Sequence, residues 1–306
     1  MMEKIGEVLL DDRFYPGEDF YCDGEVENEL LEIVKTYPES EYNRIIEERK
    51  KWPILYHLSN IRENIVEWLP IEKSHTVLEI GSGCGAVTGA LARKSQKVTC
   101  IELSKKRTLI NAYRHKEYDN IEICMGNFEE VEKHLTEKYD YITLIGVLEY
   151  AGLYISSDNP YVQFLKIIER HLKPNGKIIV AIENRMGLKY WAGCKEDHVG
   201  KYFEGIEGYP STEGVRTFSK QELEEIIEQA GVGSYQMYYP YPDYKFPMTI
   251  YSDKYLPKCG ELKNNSCNLD SERMLLFNDT LAYDEFIKNG LFPTFSNSFL
   301  VVIEKG

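Results

Sequence analysis

Val77-Leu78-Glu79-Ile80-Gly81-Ser82-Gly83-Cys84-Gly85 runs from an apolar stretch into a glycine-rich turn. Thr76–Ile80 is expected to be a short strand and Ala86–Lys94 a helix. Between them, Gly81 and Gly83 lack a Cβ where a ligand must come close to the backbone. Gly85 lets the helix pack tightly against the strand. The spacing is G-x-G-x-G, which differs from the G-x-G-x-x-G of dinucleotide sites. Glu79 stands inside the strand, two residues before the turn. A pyrophosphate has no use for a carboxylate there, whereas a cationic ligand does. The next apolar stretch, Lys97–Glu102, ends in an acid about 20 residues past the glycines, the place from which a carboxylate accepts both ribose hydroxyls.

On both sides of this turn the chain alternates strand with helix. Helices are expected over Lys105–Lys116, Pro160–Leu172 and Ser219–Ala230. Strands are expected at Asn120–Met125, Tyr139–Val147, Lys177–Ile182, Ser234–Tyr239 and Ser298–Ile303. Ser219 caps its helix, Glu222 completes a capping box and Gly231 stops it. Upstream, Ser59–Leu69 has helical spacing and Pro70 closes it. Glu25–Lys35 suits a short helix in an acidic, weakly periodic region. The alternation implies an α/β fold with a largely parallel, doubly wound sheet. Residues 1–53 read as an N-terminal cap segment and 54–306 as the main domain. Stretches at about 184–216 and 240–293 break the rhythm and read as insertions, which tend to build the site when they follow strand ends.

Glu79–Gly85 resembles the first motif of class I S-adenosylmethionine-dependent methyltransferases, with Glu102 as the ribose-binding acid beside Leu103. The similarity covers roughly Tyr56 to Leu223 and the last strand. Met125-Gly126-Asn127-Phe128 is similar to the family's third-strand motif, with Asn127 where an acid is common. Gly146-Val147-Leu148-Glu149-Tyr150 resembles the stretch lining the methionine part and the methyl. Leu172-Lys173-Pro174-Asn175-Gly176-Lys177 resembles the turn before the fifth strand. The resemblance implies a Rossmann-like, seven-stranded, mostly parallel sheet with an antiparallel last strand. It implies S-adenosyl-L-methionine as cofactor, held by Glu79, Gly81, Ser82, Gly83, Glu102, Leu103, Asn127, Phe128, Gly146 and Val147. Tyr56 and Arg62 join this set, with Arg62 expected to pair with the cofactor carboxylate. Glu183–Gly193 and Tyr239–Lys245 look like a bacterial subgroup associated with glycan and polysaccharide genes, whose members occur beside glycosyltransferases. Those enzymes are therefore expected partners.

Methyl transfer to a hydroxyl gains from a general base, because an alcohol is a poor nucleophile until its proton leaves. His198 is the first candidate and Glu149 the second. Tyr150, Glu183, Asn184, Tyr190, Trp191, Tyr241 and Tyr244 are the candidate acceptor contacts. Aromatic faces crowd the two insertions, where they suit a sugar or another planar group and form a lid. Glu196-Asp197-His198 is too compact for one mononuclear metal site, so no metal is expected.

Composition limits the alternatives. The 306 residues carry 36 Lys+Arg and 50 Asp+Glu, a formal charge of −14. That excess disfavours a general phosphate-backbone binder, so nucleic acid is not expected as a partner and a small-molecule or saccharide acceptor is. Seven cysteines at irregular spacing, with no C-x-x-C, suit a reducing cytoplasm. Met1–Asp12 has no signal-peptide pattern, and Tyr139–Ile155 is too short and too charged to span a bilayer, so no membrane insertion is expected. The rival readings are an RNA methyltransferase, a hydride-transferring oxidoreductase and a cofactor-binding protein of the same fold without activity.

Overall fold

The structure, a computed structural model, describes residues 2–19, 24–265 and 273–306. Cys22 and Cys267 lie outside the described residues. The chain divides into two compact units, Met1–Leu144 with His171–Gly176, and Ile145–Arg170 with Lys177–Gly306.

The first unit holds β1 (Met2–Ile5), β2 (Val8–Phe14), β3 (Thr76–Ile80), β4 (Lys97–Glu102), β5 (Ile121–Gly126) and β6 (Tyr139–Ile145), laid out β1-β2-β5-β4-β3-β6. β3 pairs in parallel with β4 and β6, and β4 with β5, as the alternation requires. The middles of these strands are mostly apolar, as in parallel strands covered on both faces. Val77, Leu78, Val98, Ile123 and Ile142 are all fully buried.

The acidic N-terminus contributes more than a cap. β1 and β2 form an antiparallel hairpin, and β2 adds in parallel to β5. Val8 and Leu10 face inward, while Asp11 is buried with the Arg13 guanidinium across it at 2.7 Å. The alternation is short and broken by acids, so it does not announce a strand in the sequence. Helices Val26–Thr36, Tyr42–Arg49 and Trp52–Leu58 follow. Leu30, Ile33, Tyr42, Ile45, Ile54 and Leu58 pack with Ile110 and Cys84 in one apolar cluster, which fastens them to the glycine turn.

The second unit holds β7 (Leu172–Glu183), mostly within it, then β8 (Gly233–Tyr241), β9 (Thr249–Ser252) and β10 (Ser298–Lys305), in the order β7-β10-β8-β9. β10 runs antiparallel to both β7 and β8. The α/β class and the antiparallel last strand agree with the sequence reading. The strand count does not, because β1, β2 and β9 extend the expected seven to ten among the described residues. Helix Lys220–Ala230 starts in the capping box of Ser219 and Glu222 and ends at Gly231, whose φ is 65°.

Among the described residues, no helix is long and apolar enough to cross a membrane. The free cysteines Cys84, Cys100, Cys124 and Cys194 are buried, and Cys259 is exposed.

Candidate functional site

In the first unit the glycine turn bends sharply between β3 and helix Thr88–Lys94. Gly83 has φ 53°, with open space where a Cβ would stand. A Cβ on Gly85 would collide with the Asn111 side chain, so helix and turn close up only over glycine. Glu102, at the end of β4, is buried and holds the turn from the other side. Its Oε2 accepts from the Gly83 N–H at 2.7 Å and its Oε1 from the Ser104 N–H at 2.9 Å. Burial raises its pKa, and the Arg107 charge and the backbone amides partly offset that rise.

Glu79 is buried beneath the same turn. It accepts from Thr88 Oγ1 at 2.7 Å and from Cys100 Sγ at 3.4 Å. Burial pushes its pKa up to about 7, against these hydrogen bonds. Ser82 is buried and Leu103 half-buried. Asn127 ends β5, and its side-chain oxygen accepts from the Glu129 N–H at 3.0 Å, capping the short helix Phe128–Val131. Its oxygen is therefore committed to the cap, and the amide N–H₂ is left as the donor. Phe128 is buried.

Arg62 is buried, with its guanidinium 4.1 Å over the Tyr56 ring. Its Nε and Nη1 have no hydrogen-bond partner. A buried unpaired cation is costly, so the site suits an anion such as the carboxylate of an amino-acid moiety. The residues of this unit thus fit S-adenosyl-L-methionine: Glu102 for a ribose diol, open backbone at Gly83 and an unmatched guanidinium.

The second unit gathers a different chemistry. Glu149 lies in a 3₁₀ turn after β6, and Glu183 ends β7. The loop carrying Glu196, Asp197 and His198 brings the imidazole to both. His198 Nε2 is 3.5 Å from Glu149 Oε1 and 3.9 Å from Glu183 Oε2. On its other side, Nδ1 faces Glu196 Oε1 at 3.0 Å. Glu196 is itself fixed by the N–H groups of His198 and Val199 and by the Tyr209 hydroxyl at 3.1 Å.

Desolvation works to lower the imidazole, but Glu183, Glu149 and Glu196 overcome it and hold His198 protonated well above its usual range. Burial raises Glu149, partly offset by His198. Burial would also raise Glu183, but Lys245 and His198 hold it below its ordinary value.

Two lysines that the sequence reading passed over complete the cluster. Lys189 is buried between Asp197 Oδ2 at 2.6 Å and Asp243 Oδ2 at 2.8 Å. Lys245 Nζ lies 2.6 Å from Glu183 Oε1. Both stand in segments already singled out, Leu188-Lys189-Tyr190 and Asp243-Tyr244-Lys245. Their signal was a lysine placed among tyrosines and acids.

The aromatic residues expected to contact the acceptor divide. Tyr190 and Tyr241 are buried, and their hydroxyls donate to Asp197 and Asn265. The Tyr244 hydroxyl lies where a Cβ on Gly146 would stand, 2.7 Å away, and φ at Gly146 is 69°. Tyr150 meets His198 edge-on, with ring centroids 5.6 Å apart. Trp191 is exposed and Val147 half-buried. Asn184 differs from the expectation. It is fully buried, both amide hydrogens go to the carbonyls of Thr294 and Ser296, and its oxygen accepts from the Met186 N–H. It braces the chain after β7 and has no donor left for an acceptor.

Residues 78–178 match a family model described as a methyltransferase domain. Curated relatives include the ribosomal RNA small subunit methyltransferase A of Syntrophus aciditrophicus, 29% identical over 33% of this chain and 34% of its own length. The enzyme of the same name from Mycoplasma capricolum is 32% identical over 60% of this chain and 61% of its own length. That from Alkaliphilus metalliredigens is 24% identical over 50% and 52%. The chain thus spans between about a third and three fifths of these relatives. Among solved structures, an S-adenosylmethionine-dependent methyltransferase from Archaeoglobus fulgidus is 14% identical with a TM-score of 0.49, covering 86% of this chain and all of that one.

Residues 78–178 are thus similar to a methyltransferase domain. One expectation is overturned: nucleic acid does not stand as an excluded partner, because the curated relatives are ribosomal RNA methyltransferases. The −14 charge is a sum over the whole chain and does not decide what one surface binds.

Proposed function

We propose that the protein transfers a methyl group to a hydroxyl of its acceptor. The observation that carries this reading is the buried cluster of Glu149, Glu183 and His198 in the second unit. A sulfonium methyl moves by in-line displacement, which needs a deprotonated oxygen when the acceptor is an alcohol. S-adenosylmethionine supplies the electrophilic methyl and leaves as a thioether. Glu102 and Gly83 hold the nucleoside and Arg62 the carboxylate, and the second-unit cluster around Glu149 and His198 activates the acceptor hydroxyl.

The acceptor reading has two branches. In the first insertion, exposed Trp191 and half-buried Tyr202 favour a saccharide or another compact polyhydroxyl compound. The names of the curated relatives favour RNA. Buried free thiols suit a reducing cytoplasm in either case.

The deciding experiment incubates the protein and S-adenosylmethionine with a sugar panel and, separately, with ribosomal RNA. It follows S-adenosylhomocysteine release and product mass. Methyl on a sugar oxygen supports the first branch. Methyl on a base nitrogen overturns the hydroxyl reading. No product from any acceptor, with cofactor binding intact, supports a chain without activity. Where turnover is found, Glu149→Gln and His198→Ala should each lower kcat by about a hundredfold to ten-thousandfold.

A further inference from the structure

We propose that Glu149, Glu183 and His198 form a binding site for a divalent transition-metal ion. One donor atom from each lies within 4.8 Å of the other two. The separations leave room for a shared ion. His198 Nε2 stands 3.5 Å from Glu149 Oε1 and 3.9 Å from Glu183 Oε2. Both exceed the 2.7–3.2 Å of an N–H···O hydrogen bond. They fit an ion placed between them, because metal bonds of about 2.1 Å at tetrahedral angles put neighbouring donors about 3.4 Å apart.

Three further features agree. His198 Nδ1 is engaged by Glu196 at 3.0 Å, and Glu196 is held by two backbone N–H groups and Tyr209. A carboxylate behind the imidazole is how proteins fix a ligating histidine, with Nε2 directed at the metal. Lys245 occupies Glu183 Oε1 at 2.6 Å and leaves Oε2 for the ion. Glu149 is 99% buried, and its Oε2 has no hydrogen-bond partner. The set differs from the compact Glu196-Asp197-His198 run, since only His198 is shared and the other ligands come from the ends of β6 and β7. One nitrogen and two oxygens suit manganese or zinc over calcium.

This inference names a cofactor for the cluster assigned above to acceptor activation. With an ion bound, its charge would lower the pKa of the acceptor hydroxyl, and the imidazole, now a ligand, would not serve as base.

The test needs no acceptor. The full chain, stripped with chelator, is titrated with Mn²⁺ and the loss of the free-ion electron paramagnetic resonance signal is followed. Mn²⁺ avoids thiols such as exposed Cys259. One site per chain is expected, weakened at least tenfold in His198→Ala and in the milder Glu149→Gln. S-adenosylmethionine affinity checks that each variant is folded. Absence of binding by the parent chain, or equal affinity in parent and both variants, overturns the metal site. That result would leave the hydroxyl reading intact. Methyl found on a base nitrogen would overturn the hydroxyl reading and leave the metal site intact.

Discussion

Glu102 and Gly83 are joined by a hydrogen bond of 2.7 Å, from the backbone N–H of the glycine to Oε2 of the acid. The same carboxylate holds the Ser104 N–H at 2.9 Å, so one buried side chain sets both the glycine turn and the start of helix Lys105–Arg114. Glu102→Ala removes two charge-assisted bonds together with the proposed ribose acceptor. Such bonds contribute about 1.5–3 kcal/mol each. S-adenosylmethionine affinity, measured by calorimetry, should fall at least about tenfold. Unchanged affinity would mean that the ribose assignment is mistaken.

Arg62 gives a second test that separates parts of the cofactor. Its guanidinium is buried on Tyr56, with two nitrogens unmatched. Arg62→Met keeps the volume and removes the charge. Affinity for S-adenosylmethionine should fall about tenfold or more, the worth of a charge-assisted pair. Affinity for adenosine, which has no carboxylate, should not change. The bare protein should be as stable as before or more so, because an unpaired buried charge is gone. Equal losses for both ligands would point to a damaged fold in place of a lost ion pair.

The half proposed to bind the nucleoside was legible because its chemistry is local. The turn, Glu79 and Glu102 lie within a short stretch of chain whose apolar strands announce themselves. The second-unit cluster was legible only in pieces. Glu149, Glu183 and His198 were each noticed, but the distances that join them depend on how the loop around residue 197 folds back. Lys189 and Lys245 also neutralise Asp243 and Glu183, acids more than 50 residues away in sequence, and no spacing rule reveals that pairing. The β1–β2 hairpin was missed because Asp11 sits buried where the pattern wants an apolar residue, and only the Arg13 pair makes it tolerable. Tyr190 and Tyr241 read as candidate acceptor contacts, yet their hydroxyls anchor a packed interior.

Glu79 gives the pH dependence. Burial raises its pKa to about 7 from the ordinary 4.5. Between these values the folded chain holds a proton that the unfolded chain has released. Stability from this group is therefore complete below pH 4.5 and falls as pH rises through 7, by a total on the order of 3 kcal/mol. Glu102 is raised by the same cause and acts in the same direction. Glu79→Gln should flatten the fall, measured by urea unfolding at a series of pH values. Binding should behave oppositely. A cationic sulfonium favours the ionised carboxylate, so affinity should rise from pH 6 to pH 8 in the parent chain and much less in Glu79→Gln.

Lys189 is the strongest stability prediction. Its ammonium is buried between Asp197 and Asp243, at 2.6 and 2.8 Å. Burial works to lower its pKa, and the two aspartates with Glu183 overcome that and hold it well above the ordinary value. Lys189→Met leaves two buried carboxylates with one fewer cation. Lys245, at 3.4 Å from Asp197, then carries what remains. Breaking a buried pair costs about 3–5 kcal/mol, most of it from the charge left behind. Thermal unfolding should show a large loss for Lys189→Met. Lys189→Met combined with Asp243→Asn should recover much of it, because the orphaned charge is removed along with its partner. If the double variant is no better than the single one, Lys189 stabilises through packing of its stem, and the charge argument fails.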